Sequence, residues 1–399
     1  MAMSLEGIRV VDFTWVVAGP VATRMLADNG AEVIKVERRI PGYMGPRKVG
    51  TQPDLNRNKL SVSINMGEPR GVELARRLVK IGDLVIDNFS ARVMRGWGMD
   101  YESLRKIKPD IISMSMSGLG HTGPRNNYVS YGPTLQALAG FTRLMTDPNG
   151  EPAGYGYSFS DLAGGLAGGL TALAALWHRK RTGLGQFIDL SQLESLTGFI
   201  GPALLDISVN QRPQPPVDWR AQEMPAAPHG VYRCKPRGDD DDRWIAIAVR
   251  TQAEWTRFAA ALGDPAWTTE EKFRTLYLRM RNREELDQHI TRWTAECEAE
   301  SVMRLLQAAK VPAGVVQNGE DLCTHDPQLR SRGFWPLVKR PDDKDTAVSG
   351  IPYRLSATPG SIRRNAPETG EDNDYVLGEL LGLSVEERKQ LMADQVLWP

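Results

Sequence analysis

At 399 residues the chain exceeds the roughly 250–300 at which one hydrophobic core stops growing, so two domains are expected. Charged residues make up 25% and apolar ones 41%, an ordinary globular balance. Lys plus Arg and Asp plus Glu both number 49, and the resulting zero net charge excludes a global field that would recruit nucleic acid or an anionic membrane; any anion site is local.

The opening "MAMSLEGIRVVDF" enters a strand pattern at once, without a basic region and apolar signal core. Cys234, Cys297 and Cys323 are too scattered for a disulfide framework or a zinc site. Both features fit a cytoplasmic protein. From "IRVVDF" onward, strand and helix signals alternate. "PVATRMLADNG" reads as a helix with Pro20 in its first turn and Gly30 at its end. "EVIKVE" and the period-two "KLSVSIN" are strands, "EPRGVELARRLVKIGD" a helix, "LVIDNF" a strand, and "YESLRKIKPD" with "IISMSMS" repeats the pair. Such alternation implies a doubly wound α/β domain whose ligands meet the carboxyl ends of a parallel sheet, at Thr14–Pro20, Glu37–Arg39, Asn88–Ser90 and Ser117–Gly123.

The run Leu162–Trp177 is apolar and glycine-rich, but its sixteen residues fall short of the ~20 of a membrane span, so a buried helix is expected and no membrane partner. "NQRPQPPVDWRAQEMPAAPHG" reads as a linker. A smaller α+β unit follows: strands "GVYRC" and "WIAIAV" around the acidic turn Asp239–Asp242, then the helical stretches "QAEWTRFAAALG" and "REELDQHITRWTAECEAESVMRLLQAA", and the strand "VPAGVVQ". The tail "PETGEDNDYVLGELLGLSVEERKQLM" has helical spacing. The divisions are 1–205, a linker 206–229, a small domain 230–325 and a return segment 326–399.

Several motifs are absent. The first turn, "TWVVAGP", has one glycine rather than G-x-G-x-x-G, so a nicotinamide dinucleotide lacks its close approach although Glu37 ends the second strand. There is no phosphate loop and no G-x-S-x-G elbow. His121, His178, His229, His289 and His325 show no metal-ligand spacing, and structural roles are expected, with His121 in its glycine loop the exception to watch. Arg38, Arg39, Lys59, Arg92 and Arg95 stand just outside strands; together they suit a phosphate-bearing ligand, and singly each is an ordinary surface base. Asp161, in "GYGYSFSDLAGG", reads as a helix N-cap with Ser160 as rival, or as a chemical group. Gly164, Gly165, Gly168 and Gly169 allow close backbone packing.

The ordered set "GIRVVDFTWVVAGP", "GAEVIKVERR", "NRNKLSVSIN", "DNF", "YSFSDLAGG", "RTGLGQFIDLSQLE", "VPAGVVQ", "DPQLRSRGF" and "APETGEDNDYVLGELLGL" resembles the family III CoA-transferases over nearly the whole chain. This group includes formyl-CoA:oxalate, carnitine, bile-acid and benzylsuccinate CoA-transferases. The resemblance implies a large Rossmann-like domain built from both chain ends, a small domain between them, and an interlocked dimer or a heteromer with a related subunit. It implies that Asp161 matches the family's catalytic aspartate. Arg38, Lys59, Asn88, Phe89 and Arg95 fall in CoA-holding segments, and Val17 and Ala18 in the loop beside the thioester. Trp15 and Tyr131 are assigned to the substrate pocket. The substrates implied are an acyl-CoA and a carboxylic acid, with no metal and no tightly bound cofactor.

The first loop lacks the His or Gln of some members, and "AQEMPAAPHG" replaces the glycine-rich lid of oxalate enzymes, which disfavours oxalate. Apolar Trp15, Val16 and Val17 leave room for a substituted succinate such as benzylsuccinate, with succinyl-CoA as donor. A racemase-like enzyme is the alternative, although "GPRN" before Asn127-Tyr128 lacks the racemase His-Asp pair. A non-catalytic CoA-binding subunit is the other.

Overall fold

A computed structural model describes residues 2–38, 51–145, 151–154, 156–211, 225–238, 242–339 and 344–398. The chain divides into two compact units. One comprises Met1–Arg143, Pro152–Gln214 and Gln328–Pro399; the other comprises Leu144–Glu151 and Pro215–Pro327.

In the first unit the elements run β1 (Arg9–Asp12), α1 (Ala18–Asp28), β2 (Glu32–Glu37), α2 (Gln52–Asn56), β3 (Leu60–Ser63), α3 (Pro69–Ile81), β4 (Leu84–Asp87), α4 (Val93–Gly96), α5 (Tyr101–Ile107), β5 (Ile112–Ser115), α6 (Gly132–Leu138), α7 (Phe141–Leu144), α8 (Phe159–Thr182), β6 (Phe187–Asp189), α9 (Gln192–Thr197) and α10 (Gly201–Asn210). The six strands form one parallel sheet in the order β3-β2-β1-β4-β5-β6. The order reverses between β1 and β4, which opens a crevice at their carboxyl ends.

Strands buried on both faces favour apolar runs, as in β4 (LVID), whereas β3 (LSVS) and β5 (ISMS) alternate apolar residues with buried serines. One face packs Val11, Phe13, Ile34, Val62, Ile64 and Val85 against Leu74, Leu78 and Leu104 of α3 and α5, and against Val376, Leu377 and Leu391 of the return segment. The other packs Val10, Val33, Leu84, Ile86, Ile112 and Met114 against α1 and α8. The return segment also covers the edge strand. Asp372 and Asn373 accept hydrogen bonds from the backbone N–H groups of Ser61 and Ser63, so β3 is not left open to another chain.

α8 is longer than its apolar run. At 24 residues it is long and apolar enough to cross a membrane by those measures, and half of its most apolar window is buried within the chain. Its glycine stripe explains the burial. A Cβ on Gly165 would lie 2.7 Å from Val21 Cβ and 2.8 Å from the Ala18 carbonyl, so glycine is what allows α1 and α8 to touch. The other side of α8 exposes Leu166, Leu170, Leu173 and Trp177.

The second unit is an antiparallel sheet, β7 (His229–Arg233), β8 (Trp244–Ala248) and β9 (Ala313–Val315), with helices α11 (Gln252–Ala261), α12 (Leu276–Arg281), α13 (Arg283–Thr294) and α14 (Ala299–Ala308). Tyr232, Ile245, Ile247, Trp255, Phe258, Phe273, Leu286, Ile290 and Leu306 form its core. The stretch from Arg283 to Ala309 is two helices, because the chain leaves the helix after Thr294 and restarts at Ala299. Most of the acidic turn and most of the linker lie outside the described residues. The return segment contributes α15 (Pro327–Ser331), the hairpin β10 (Leu337–Lys339) and β11 (Asp345–Ala347), a wide helical segment Asp374–Leu380, and α16 (Val385–Ala393).

Candidate active site

Asp161 occupies the third position of α8, not its cap. Ser158 is the N-cap residue, and the first-turn N–H of Phe159 donates to Gln136 Oε1 at 2.7 Å. The cap reading of Asp161 is therefore wrong, and so is that of Ser160, whose hydroxyl donates to the Gly132 carbonyl at 2.9 Å. Among the described residues the Asp161 carboxylate has one hydrogen bond, from Ser158 Oγ to Oδ2 at 2.5 Å. Partial burial pushes its pKa above the usual carboxylate range, and the Ser158 bond offsets only part of that rise.

Gly132, the first residue of α6, makes this packing possible. A Cβ there would fall 1.4 Å from Ser158 Oγ and 2.8 Å from Asp161 Oδ2. Tyr131, the residue before it, caps α6 and is 59% exposed. Tyr131 and Asp161 therefore flank one short stretch of backbone, although 30 residues separate them in sequence. Gly164 and Gly165 do not face a reacting group. They pack on Gln192 and α1.

The β1–α1 loop is held from both sides. Asn88 clamps Trp15 through two bonds, accepting from its N–H at 2.9 Å and donating to its carbonyl at 2.8 Å. Phe89 packs on Trp15 with ring centroids 6.1 Å apart and meets Trp97 edge-on at 5.6 Å. Val16 has φ +62°, a left-handed conformation that a β-branched residue adopts only under constraint. Val17 is the N-cap residue of α1, and Ala18 is buried beside α8.

Beneath this loop lies a buried ionic cluster. Lys59, with no exposed side-chain surface, places Nζ 3.2 Å from Asp12 Oδ2, and donates to Asn56 Oδ1 at 2.9 Å and to the Pro20 carbonyl at 3.2 Å. Asp12 also accepts from Thr14 N–H at 2.8 Å, Thr14 Oγ1 at 2.6 Å and Thr23 Oγ1 at 2.7 Å. The Lys35 ammonium donates to the Thr14 carbonyl. Burial, with a smaller contribution from Lys35, pulls Lys59 down to about 7 against the pull of Asp12. Burial raises Asp12, but Lys59, Lys35 and the threonine hydroxyls together hold it below the usual range. The expectation of Lys59 as a phosphate ligand is thus corrected: its donors are spent inside the protein.

The rest of its "NRN" segment is structural too. Arg57 pairs with Asp28 at 2.8 Å, and Asn58, at φ +63°, bonds Asp28 and the return segment. Arg38 and Arg95 are exposed, just beyond β2 and on α4; Arg39 lies outside the described residues. Sequence reasoning missed Asp12, Ser158, Gln136 and Gly132. The aspartate ending "RVVD" was visible, but of its partners Thr14, Thr23 and Lys59 the last two come from elsewhere in the chain, α1 and the position just before β3.

A family model for CoA-transferase family III matches residues 5–373. The chain is 30% identical to the succinyl-CoA–D-citramalate CoA-transferase of Chloroflexus aurantiacus, over 98% of each protein. It is 31% identical to the succinate–glutarate CoA-transferase of Agrobacterium fabrum, over 94% of this chain and 95% of that one. Its relatives also include the alpha and beta subunits of the Chloroflexus aurantiacus succinyl-CoA–L-malate CoA-transferase, 30% and 28% identical, each over 99% of this chain and 93% and 98% of the relative. Its fold matches the crystal structure of a CAIB/BAIF family protein from Brucella suis with TM-score 0.83 and 28% identity, covering 95% of this chain and all of that one. The six-strand parallel sheet with a smaller antiparallel sheet is shared with that structure, and the chain belongs to CoA-transferase family III, enzymes that use CoA thioester substrates.

Proposed function

We propose that this enzyme moves CoA from succinyl-CoA to a second dicarboxylic acid through covalent intermediates on Asp161. The observation that carries the reading is a carboxylate of raised basicity whose hydrogen-bond partner among the described residues is one neutral hydroxyl, beside an exposed tyrosine at the carboxyl end of the sheet. Asp161 attacks the thioester carbonyl; the C–S bond breaks, CoA leaves as thiolate, and a mixed anhydride forms. The thiolate attacks the aspartyl carbonyl of that anhydride, releasing the donor as its carboxylate and leaving an aspartyl-CoA thioester. The acceptor carboxylate then repeats both steps in reverse. No net proton is consumed, and relay splits one difficult exchange into easier ones.

Arg38 and Arg95, both exposed, supply the positive charge for the CoA phosphates. The clamped Trp15 and its loop, with Val17 and Ala18, line the thioester end. The relatives named above transfer CoA among succinate, glutarate, citramalate and malate, which supports a dicarboxylate acceptor. Trp15, 40% exposed beside Val16 and Val17, favours an apolar substituent on it, as in benzylsuccinate. Trapping tests the mechanism: hydroxylamine or borohydride should modify Asp161 only when acyl-CoA is present, and labelling of another residue would refute it.

The same reading includes an interlocked dimer or a heteromer with a related subunit. The exposed Leu166, Leu170, Leu173 and Trp177 of α8, with Phe199, Leu205 and Val209 beside and on α10, support a chain-to-chain contact. Sedimentation at nanomolar concentration should find no folded monomer; a folded, active monomer would overturn it.

A further inference from the structure

Three adjacent strands end on polar side chains in one register. Asp87 closes β4, Ser115 closes β5 and Asp189 closes β6, paired Asp87 with Ser115 and Ser115 with Asp189. Register partners in parallel strands share a face, so the three form a row along the carboxyl edge. The β5–α6 loop folds back over this row. Gly120, at φ +81°, turns the chain so that His121 N–H donates to Asp189 Oδ1 at 2.9 Å, while Asn126 Nδ2 donates to the His121 carbonyl at 2.9 Å. The imidazole is thereby set with Nε2 2.7 Å from Ser115 Oγ, and Ser115 Oγ in turn lies 3.1 Å from Asp87 Oδ1.

The order Asp–Ser–His places serine in the middle and buried, so it passes a proton and cannot act as a nucleophile. With Asp87 ionised, Oδ1 accepts from Phe89 N–H and from Ser115 Oγ–H. The Ser115 oxygen is then the acceptor for Nε2–H, which assigns the neutral tautomer and leaves Nδ1 as the outward atom. Among the described residues Nδ1 has no hydrogen-bond partner. The charged groups facing the ring are Asp189 from β6, Arg95 from α4, and Asp87 through Ser115; the Phe187 ring covers one side at 5.6 Å. Burial, with Arg95, keeps His121 below the ordinary histidine value against Asp189, and burial raises Asp87 to about 7. Ser115 bridges the two groups, so the protonation of one is linked to that of the other.

We propose that His121, backed by Ser115 and Asp87, contacts an anionic group of the CoA thioester beside Arg95, and that binding draws one proton onto its imidazole. This rests on the CoA reading above. An anion at Nδ1 stabilises the imidazolium, and the ionised Asp87 behind Ser115 balances the new charge. Proton uptake then makes affinity rise as pH falls.

Calorimetry of free coenzyme A in buffers of different ionisation enthalpy tests this at about pH 7. Wild type should take up a fraction of a proton more than His121→Gln, and should gain about 5–10-fold more affinity than the variant between about pH 8 and about pH 6. The ligand's own phosphate monoester titrates in this range, so the wild-type-minus-variant difference is the quantity read. Ser115→Ala keeps the imidazole but cuts it from Asp87, and should lower the uptake toward the His121→Gln value. Equal uptake in wild type and His121→Gln overturns the inference while leaving CoA binding intact. Absence of coenzyme A binding to the wild type overturns the CoA reading itself. A merely structural His121 would lower the melting temperature and leave the proton balance unchanged.

Discussion

Asp12 and Asp161 are two carboxylates of the same unit in opposite circumstances. Asp12 is completely buried, yet it is paired with Lys59 and receives three further hydrogen bonds, and its acidity is increased. Asp161 is only partly buried, but among the described residues one serine hydroxyl is its hydrogen-bond partner, and its acidity is decreased. Depth alone would rank them the wrong way round. What separates a structural charge from a chemical one is compensation. The paired carboxylate has its lone pairs spent on holding a loop, whereas the under-compensated one keeps them for an electrophile.

Replacing each partner should break this contrast in a different observable. Asp161→Asn keeps the shape and the Ser158 contact but cannot form an anhydride, so turnover should fall by about 10⁴-fold or more, the scale of losing a nucleophile. Its melting temperature should hold or rise slightly, since a poorly solvated charge is removed. A normal kcat in a discontinuous thioester assay would end the nucleophile assignment.

Lys59→Met should do the reverse. It leaves Asp12 charged and unpaired in the core, which costs about 3–5 kcal/mol of stability, read by denaturant unfolding. Asp12→Asn combined with Lys59→Met should recover part of that loss, because the two sites are in contact. The sign of the pH effect follows from the depressed lysine. Between about 7 and the ordinary value of ~10.4 the unfolded chain holds the proton that the folded one has released, so the wild type gains stability with rising pH there. Lys59→Met should lack that part of the slope, and an unchanged slope would show that Lys59 stays charged.

The exposed bases sharpen the contrast on the side of the ligand. Arg38→Ala and Arg95→Ala should each weaken coenzyme A binding by about 1.5–3 kcal/mol if they make charge-assisted phosphate contacts, with no change in melting temperature. A stability loss without an affinity loss would place them with Lys59.

Ser158→Ala should have the smallest effect. Asp161 must be ionised to attack, so the rate falls as pH drops through its raised pKa, and the acid limb of kcat should lie above the usual carboxylate range. Removing the hydroxyl that stabilises the carboxylate moves that limb further up, by about one pH unit or less. A shift to lower pH would contradict the role given to Ser158.

Much of the first unit was legible in the chain because its signals are local. Strand–helix alternation from Arg9 to Ser115 and the punctuation by Gly30 and Gly82 need only neighbouring residues to be read. Where reading failed, the deciding contact was distant. "REELDQHITRWTAECEAESVMRLLQAA" looks like one helical stretch, yet the chain turns out of the helix after Thr294, whose hydroxyl is taken by the Arg233 carbonyl of β7. Lys59 follows the same rule as Arg38 on paper, a base at the boundary of a strand. Nothing in "NRNK" says that β1 and α1 will close over the one and leave the other in solvent.

By itself the sequence determined the parallel sheet, the smaller α+β unit and, through the order of its motifs, Asp161 as the residue to watch. Periodicity and turn chemistry act over a few residues, and a motif string preserves them. The tertiary structure decided which charges are free. It spent Lys59 on Asp12, placed Gly132 and Ser158 against Asp161 from segments 29 and 3 residues away, and hung His121 on Ser115 and Asp87. Solvation and charge compensation depend on what the whole fold brings within a few ångströms, and that distance is not written along the chain.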